Sequence, residues 1–390
     1  MKGEKNVIEL KKFREAEFLR REKHLRYAKK QELVKSKAKK CQLHIVYVMT
    51  HVGICGGTKI ILEHANNLVR FNQRVTIVSH FKKPTWYPIS NDVKYIQVPL
   101  TQELALGIPQ CDVIIATYWR EIYECIARGI APVVYFEQGD YHLFAWEDVC
   151  RRKKDFIYKQ FQLAPFIYTV SKGSSKQIKK NFGRGSTIIN NAIDNTVFYY
   201  DSKNIKDRKK DFTLMIIGSE NNEFKGIGDI RQALSLLPKS DHDLKLVWVT
   251  PDKPIHPMGT VFVNPKQSQI GDLLRKSNVF ICGSHYESFS LPVLEAMACG
   301  CAVITTKNKG VVEYALDGKN CIMANINDPV DMAKKIIRLL NDDMLRNRII
   351  SGGLKTASKY KWDLIIPKII SYYQQVASFT PVKNKIVQAW

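Results

Sequence analysis

Apolar and polar positions alternate in blocks along most of the chain, in the order expected of parallel α/β sheets. Short apolar runs at 43–49, 212–217 and 279–282 have the length of buried strands. Longer segments with helical spacing, such as 59–71 and 227–237, lie between such runs. The alternation restarts once, after a polar interruption in the middle of the chain. The pattern therefore predicts two doubly wound, Rossmann-like domains.

The same pattern divides the 390 residues into five regions. A chain of this length exceeds the size at which single hydrophobic cores usually divide, which agrees with two domains. The predicted regions are a basic helical extension (1–40), a first Rossmann-like domain (41–193), a linker (194–211), a second Rossmann-like domain (212–361) and a C-terminal helix (362–390).

Charge adds a second feature to the N-terminal region. The formal net charge is +23, and residues 1–40 hold 15 Lys or Arg against 6 Glu. Such an excess indicates anionic partners, namely nucleotide phosphates, an anionic membrane surface or nucleic acid. Residues 1–40 contain no proline and predict a long, imperfectly amphipathic helix. This helix could lie on an acidic membrane, pack on the protein or pair with a partner, and the sequence leaves all three open.

Cysteine usage and hydropathy bear on the compartment. The nine cysteines form no C-x-x-C pattern, and several lie in apolar runs, where they pack as small hydrophobic residues. An odd number of cysteines without a secretory signal favours a reducing cytoplasm. No apolar run approaches the roughly 20 residues that span a bilayer. We therefore expect a cytoplasmic protein that is at most peripheral to the inner face of a membrane.

The stretch 277–313 has the densest set of candidate residues. It is predicted to form a strand, a loop, a helix that Gly300 can end, and a second strand at 302–305. In a parallel sheet, ligands bind at the carboxyl ends of strands, so the loop is expected to face a crevice.

Two carboxylates, Glu287 and Glu295, bracket this loop, with Pro292 at or near the first helical position. A carboxylate that faces the crevice from the first helical turn can accept two hydrogen bonds from a ribose diol. The free backbone N–H groups at the same helix start suit a phosphate. Acidic residues also occur at such positions merely because they complement the helix dipole, so the pair alone leaves both interpretations open.

A glycine-containing loop, THVGICGGT, follows the first predicted strand of the first domain. Glycines there allow a phosphate-bearing ligand to approach the backbone closely. The spacing is not G-x-G-x-x-G, and the next strand, 74–79, ends without an acidic residue. A dinucleotide cofactor on this half is therefore not expected.

Taken together, the motifs S-x-x-E-S-F, L-P-V-L-E-A-M-A-C-G and G-V-V-E resemble the donor region of family 4 retaining glycosyltransferases, which have the GT-B fold and a Glu-x7-Glu motif. The resemblance covers about 43–376. It implies an acceptor domain and a nucleotide-sugar donor domain facing a cleft, with the final helix crossing back to the first domain. It also implies sugar transfer with retention from a nucleotide diphosphate sugar, without a bound cofactor or metal.

The resemblance assigns roles to individual residues. Lys225, in a Lys-Gly pair, would neutralise the donor diphosphate, and Glu295 would hold the ribose. Glu287 and the backbone amides of 288–290 would contact the sugar and phosphates, and Glu313 would line the donor site. The implied donor-binding set is Gly56, Gly57, Lys225, Ser288, Phe289, Ser290, Leu291, Glu295 and Glu313.

The chain departs from the family pattern in three places. Ser219 stands where the family usually has an arginine, and Ser290 stands where glycine is usual. The first domain reads E-Q-G-D-Y-H from residue 137 in place of Thr-x-His-Asp, which is similar to Gln-Asp variants among rhamnosyltransferase-like members. The catalytic candidates are Glu287, Gln138 and Asp140. His142 is a weaker candidate, with a packing role as the alternative.

The basic charge and the cytoplasmic character suit an acceptor in cell-envelope or surface glycan synthesis, which is a glycan or a lipid-linked molecule, and a protein acceptor stays open. Two other functions stay open at this stage. One is a GT-B nucleotide-sugar epimerase or phosphorylase, and the other is a non-catalytic basic binding protein with the same fold. No RNA-binding signature with paired aromatic residues is visible, so a specific nucleic-acid partner is not expected.

Overall fold

The computed structural model describes residues 2–36, 41–202, 212–238 and 244–382. These residues form two compact units. The first comprises the described residues of Met1–Thr169, Ser175–Ile189 and Ile366–Trp390, and the second comprises those of Val170–Ser174 and Asn190–Ile365. Part of the predicted linker, 203–211, lies outside the described residues.

The first unit is built on a parallel sheet of seven strands. Strands are numbered in chain order, with β1 (Leu33–Lys35) outside this sheet. The sheet contains β2 (His44–Met49), β3 (Arg74–Ser79), β4 (Lys94–Gln97), β5 (Val113–Ala116), β6 (Val133–Glu137), β7 (Phe166–Thr169) and β8 (Thr187–Ile188). Their order is β4-β3-β2-β5-β6-β7-β8. All four residues of β5 are buried, as expected of a central parallel strand with helices on both faces.

The second unit repeats this arrangement with six parallel strands. They are β9 (Phe212–Ile217), β10 (Leu244–Thr250), β11 (Thr260–Val263), β12 (Val279–Cys282), β13 (Ala302–Thr306) and β14 (Ile322–Ala324). Their order is β11-β10-β9-β12-β13-β14. The prediction of two Rossmann-like parallel sheets is confirmed.

Helices connect the strands in both units. They are α1 (Lys2–Leu25), α2 (Gly56–Arg70), α3 (Ile122–Ala127), α4 (Tyr141–Phe144), α5 (Arg151–Leu163), α6 (Lys172–Phe182), α7 (Ile227–Ser235), α8 (Gln267–Lys276), α9 (Leu291–Ala298), α10 (Pro329–Asn341), α11 (Asp343–Ala357) and α12 (Trp362–Ala377). Among the described residues, no helix is both long enough and apolar enough to cross a lipid bilayer.

The N-terminal helix is shorter than predicted. Helix α1 ends at Leu25, so the expectation of a helix over 1–40 is wrong for residues 26–36, and residues 37–40 lie outside the described residues. Strand β1 pairs antiparallel with β15 (Phe379–Pro381), and Ser36 N–H also donates to the Ser378 carbonyl at 2.6 Å. Backbone pairing with a distant segment thus overrides the local helix propensity of a Lys- and Glu-rich sequence.

Helix α1 packs on the first unit through a buried charge cluster. The Arg21 guanidinium lies 2.9 Å from Glu17, 2.8 Å from Glu124 and 3.6 Å from Glu121. All four side chains are buried. Burial raises the pKa of Glu121 to about 7, against the opposing effect of Arg21. Of the three placements that the sequence left open for this helix, packing on the protein is the one observed for its described side chains.

Helix α2 begins earlier than the sequence pattern predicted. We expected a loop up to about Lys59, but Gly56 and Gly57 are the first helical residues and Cys55 is the N-cap. The Cys55 Sγ accepts from Thr58 N–H at 3.4 Å, which supplies the cap that Ser, Thr, Asp or Asn usually provides. Because cysteine is not a common cap, no clear signal for the start of the helix is visible in this stretch.

Candidate functional site

The second unit places the predicted donor stretch at the carboxyl ends of its central strands. Strand β12 ends at Cys282 and α9 begins at Leu291, with Pro292 as its second residue. Gly300 has φ 75°, and its N–H donates to the Met297 carbonyl at 3.1 Å, which ends the helix. The predicted order of strand, loop, helix and strand is confirmed.

Ser290, the N-cap of α9, has a backbone conformation that favours glycine. Its φ is 63° and its ψ is 67°, in the left-handed region. The buried Tyr314 hydroxyl donates to the Ser290 carbonyl at 2.6 Å and fixes this turn. The geometry gives a physical reason for a glycine at this position, and a serine here is held in a strained conformation.

Lys225 and Glu287 meet in a close ion pair. The Lys225 Nζ donates to Glu287 Oε1 at 2.7 Å, and both side chains are partly exposed. The Glu287 carboxylate raises the pKa of Lys225 above its usual value. The structure therefore brings together two residues that the sequence placed 62 positions apart. In this state Lys225 is paired with a protein carboxylate, which a bound phosphate would have to replace.

A second pair supports the same loop and was missed from the sequence. The His285 Nε2 lies 2.7 Å from Asp229 Oδ2, and the His285 N–H donates to the Phe224 carbonyl at 2.8 Å. Asp229 is in the first turn of α7, where a carboxylate is a common dipole partner, so no local signal marks it. Together the two pairs tie the loop after β12 to the start of α7.

Glu295 lies in the second turn of α9, not in the first turn as predicted. Its side chain is 5% exposed. Phe289 is 1% exposed, and its ring packs against Tyr314 at 5.3 Å and Tyr360 at 5.7 Å, so only its backbone can serve a ligand. The predicted donor-binding residues thus include two that are largely buried in this unit.

Glu313 ends a short 3-10 turn and is held by the stretch near residues 170–190. Its Oε2 accepts from Lys172 N–H at 2.8 Å, and its Oε1 accepts from Asn190 Nδ2 at 3.1 Å. All three residues belong to the second unit. The carboxylate therefore has a structural role in addition to any contact with a ligand.

The first unit has a cavity of about 280 Å³ at the carboxyl ends of β2, β5 and β6. Gln138 Nε2 donates to the Gly57 carbonyl at 3.1 Å across it. Gly56, by contrast, does not line the cavity. The lining residues are Thr50, His51, Cys55, Gly57, Thr58, Ile61, Thr117, Tyr118, Tyr135, Glu137, Gln138, Gly139, Asp140 and His142.

His142 is buried between two carboxylates of this cavity. Its Nε2 lies 2.9 Å from Glu137 Oε2, and its Nδ1 lies 3.9 Å from Asp140 Oδ2. Burial opposes the charged imidazole, but Glu137 and Asp140 raise the pKa of His142 to about 9. Burial also opposes ionisation of Asp140, yet the contact with His142 holds the pKa of that carboxyl below its usual range. His142 is thus a cation at neutral pH and not a neutral packing residue.

Glu137 anchors this arrangement and was not among the predicted residues. Its carboxylate accepts from the Tyr135 hydroxyl and from Gly139 N–H, both at 2.7 Å. Asp140 accepts from the Tyr118 hydroxyl at 3.0 Å. Glu137 is the last residue of β6, and that position at the carboxyl end of a parallel strand was the signal that could have identified it.

No metal centre is apparent in the described part of the chain, where no three His, Cys, Asp or Glu side chains are grouped to hold an ion.

Residues 201–356 match the family model described as Glycosyl transferases group 1. The matched residues lie within the second unit. Two curated relatives match parts of the chain. One is the N,N'-diacetylbacillosaminyl-diphospho-undecaprenol alpha-1,3-N-acetylgalactosaminyltransferase of Campylobacter jejuni, 27% identical over 45% of this chain and 47% of that protein. The other is the N-acetyl-alpha-D-glucosaminyl L-malate synthase of Bacillus anthracis, 28% identical over 48% of this chain and 51% of that protein. The chain thus spans about half the length of these relatives.

The fold of the chain is similar to that of a solved protein. The Anabaena protein HepE, crystallised in complex with UDP-glucose, superposes with a TM-score of 0.70 over 85% of this chain and 100% of that chain, at 16% identity. An identity this low shows the fold alone, and the chain therefore has the GT-B fold that its sequence resembled.

Proposed function

We propose that the protein is a retaining glycosyltransferase that moves a sugar from a nucleotide diphosphate sugar to an acceptor, with the second unit as donor domain and the first as acceptor domain. The observation that carries the proposal is the Lys225–Glu287 pair, 2.7 Å apart beside the start of α9, inside the segment that matches the glycosyltransferase family. A cation and a carboxylate at the carboxyl end of a parallel sheet suit a diphosphate and a sugar hydroxyl respectively.

The donor is bound in three parts. Its diphosphate replaces Glu287 as the partner of Lys225 and lies near the backbone amides of Ser288 and Ser290. Helix α9, which begins at Leu291, supplies further free N–H groups to the diphosphate. Glu287, once released, accepts hydrogen bonds from the sugar. Glu295 accepts from the ribose diol, and Glu313 lines the same site.

The reaction is promoted by the same groups that bind the diphosphate, namely Lys225, the backbone amides and the start of α9. They stabilise the charge that develops on the leaving diphosphate, so no metal is needed. The leaving phosphate takes the acceptor proton on the same face of the sugar, which retains the anomeric configuration. In the first unit, Gln138 and Asp140 orient the reacting hydroxyl and the sugar. The Gln-Asp pair supports the comparison with rhamnosyltransferase-like enzymes of family 4.

The acceptor belongs to cell-envelope or surface glycan synthesis, and the protein works in the cytoplasm at the inner face of a membrane. The Campylobacter relative is named for an undecaprenyl-linked substrate, which supports a lipid-linked acceptor. The net charge of +23 supports attraction to an anionic surface. All nine cysteines are free, which supports a reducing compartment.

A transfer assay tests the enzymatic proposal. Purified protein is incubated with UDP-, GDP- and dTDP-sugars and an extract of acceptors, and the anomeric configuration of any product is read by NMR. We expect a product with the configuration of the donor, activity unchanged by EDTA, and a loss of at least about 100-fold in Glu287→Gln. The exposed Glu223→Gln is the matched control and keeps full activity. A product of inverted configuration would contradict retention.

Vesicle flotation tests the membrane proposal. Lys23 and Arg26 are exposed near the end of α1, and a Lys23→Glu, Arg26→Glu variant reverses their charge without touching the buried cluster. We expect the natural protein to float with phosphatidylglycerol vesicles and the variant to float less, because each basic residue near such a surface contributes about 1 kcal/mol. Equal flotation of the two proteins would remove this part of the proposal.

A further inference from the structure

We infer that Arg120 forms an anion-binding subsite beside the cavity of the first unit, for a phosphate or carboxylate group carried by the acceptor. The inference rests on the proposed function, since that function supplies an acceptor to the first unit. Arg120 lies in the 3-10 turn between β5 and α3, and it was not among the residues singled out from the sequence.

The Arg120 guanidinium has no protein counter-ion within the described residues. Its Cζ lies 5.4 Å from the ring centre of Tyr118 and 5.0 Å from that of Trp119, a cation–π arrangement. Its Nε is buried and has no hydrogen-bond partner. A partly buried cation without a carboxylate is unfavourable unless a partner arrives, and a planar guanidinium matches an oxyanion in two parallel hydrogen bonds.

Arg120 interacts with residues that line the cavity. Tyr118, beneath the guanidinium, lines the cavity, and its hydroxyl donates to Asp140 at 3.0 Å. His51 also lines it. Burial lowers the pKa of His51, and the positive charges of Arg14 and Arg120 lower it further, against the opposing effect of Asp140. Arg14 is already engaged with Glu17 and with the Thr50 carbonyl, so of these two arginines Arg120 is the one available to a ligand within the described part of the chain.

The cavity lining is polar, and two of its buried residues already face carboxylates of the same unit. The hydroxyl of Thr50 stabilises the charged form of Glu121, and His142 Nδ1 lies 3.9 Å from Asp140 Oδ2. Arg120 differs from them, because among the described residues its guanidinium faces aromatic rings and no carboxylate. A guanidinium beside this polar cavity therefore points to an anionic group on the ligand.

The charges set the orientation of that molecule. Asp140 repels an anion and accepts from a hydroxyl, whereas Arg120 attracts an anion. The ligand thus places a hydroxyl toward Asp140 and an oxyanion toward Arg120. A cavity of about 280 Å³ accommodates a group the size of a monosaccharide or a small hydroxy acid. The acceptor class is therefore a hydroxyl compound with a phosphate or carboxylate close to the accepting hydroxyl.

Inorganic phosphate is the first probe, titrated into the full chain by calorimetry, first alone and then with saturating UDP present to occupy the donor site. We expect Arg120→Gln to weaken phosphate binding by about tenfold or more, and Arg120→Lys to weaken it less. Arg128→Gln is the matched control, because Arg128 also has a buried, unpartnered Nε but follows the opposite end of α3. Equal phosphate binding in Arg120→Gln and the natural chain, absence of binding, or displacement of the phosphate by UDP would overturn the inference.

Acceptor pairs give the second readout. Polyols and sugars are offered with and without a phosphate group, and vesicles of phosphatidic acid and phosphatidylcholine distinguish a lipid-borne phosphate from a soluble one. We expect Arg120→Gln to raise the KM of the phosphorylated acceptor about tenfold and to change the KM of its unphosphorylated counterpart far less. An unchanged KM for every phosphorylated acceptor would count against the subsite. If phosphate binds through Arg120 but no nucleotide sugar binds, the proposed function fails and the anion site stands.

Discussion

At the residue scale, His142 shows how burial and neighbouring charge determine one side chain's protonation. Its side chain is almost fully buried, yet Glu137 at 2.9 Å makes the charged form favourable. The ion pair in turn positions Asp140 for the proposed chemistry. A neutral replacement would leave the buried Glu137 carboxylate without its cation, which is costly in a desolvated site.

This pair predicts a pH dependence of stability. The pKa of His142 is about 9 in the folded chain and about 6.5 when unfolded, so its stabilisation is complete below pH 6.5 and is lost as the pH rises through about 9. We expect His142→Gln to lower the free energy of unfolding by up to roughly 3 kcal/mol at pH 6. Urea unfolding at pH 6 to 10 measures the difference between the two proteins. A difference that grows with pH would contradict the assignment.

Sequence reasoning at this scale identifies residues that belong to a motif and misses residues that only three-dimensional contact brings together. Gln138 and Asp140 were predicted and do line one cavity with Gly57. Arg120 and Asp229 have no motif around them, and their importance depends on which side chains face them after folding.

At the element scale, the turn before α7 depends on the absence of a side chain at Gly226. Its φ is 61°, and a Cβ there would lie 2.1 Å from the Gly283 carbonyl oxygen. The close approach brings Lys225 and the loop after β12 together. A glycine in this position thus connects backbone geometry directly to the candidate donor site.

Gly226→Ala is expected to destabilise the protein by at least about 2 kcal/mol, because the left-handed conformation and the clash both oppose it. Gly228→Ala is the matched control. It lies two residues later in α7 with open space around it, and alanine there should be neutral or stabilising by up to about 1 kcal/mol. Thermal unfolding of the two variants provides the measurement. Equal effects would show that the close approach is not important.

Helix α1 offers a second test at this scale. Arg21→Ala leaves the buried Glu121 without its cation and leaves Glu124 paired with Arg20 alone, so we expect a loss of about 3–5 kcal/mol in the free energy of unfolding. Lys23→Ala, an exposed change in the same helix, should alter it by less than about 0.5 kcal/mol. Hydrogen exchange in β5 and α3 reports whether the first unit loosens. A small effect of Arg21→Ala would mean that α1 contributes little to this unit.

The element boundaries show why helical propensity is a limited guide. The composition of 1–40 favours helix throughout, yet β1 forms where Leu33–Lys35 meets Phe379–Pro381. That partner lies more than 340 residues away, so no local pattern could predict it. Strands with continuous apolar runs, such as β12 and β13, were predicted because burial on both faces leaves a strong signal.

At the scale of the whole molecule, two parallel α/β sheets follow from the alternation of short apolar runs and helical segments. The alternation could not indicate which unit is the proposed donor domain and which is the proposed acceptor domain. That division depends on which carboxyl-end loops carry charge: Lys225 and Glu287 in the second unit, and Asp140 with His142 in the first. The proposed function therefore depends on a few side chains on a widely used fold.

Donor binding is the measurement that tests the central claim most directly. A thermal-shift screen of UDP-, GDP- and dTDP-sugars identifies the donor, and calorimetry then compares the natural chain with Lys225→Ala, Glu295→Gln and the control Glu223→Gln. We predict that the first two variants weaken binding by about tenfold or more each, since each removes a charged hydrogen-bonding group, and that the control does not. Unchanged binding in both Lys225→Ala and Glu295→Gln would contradict the donor site.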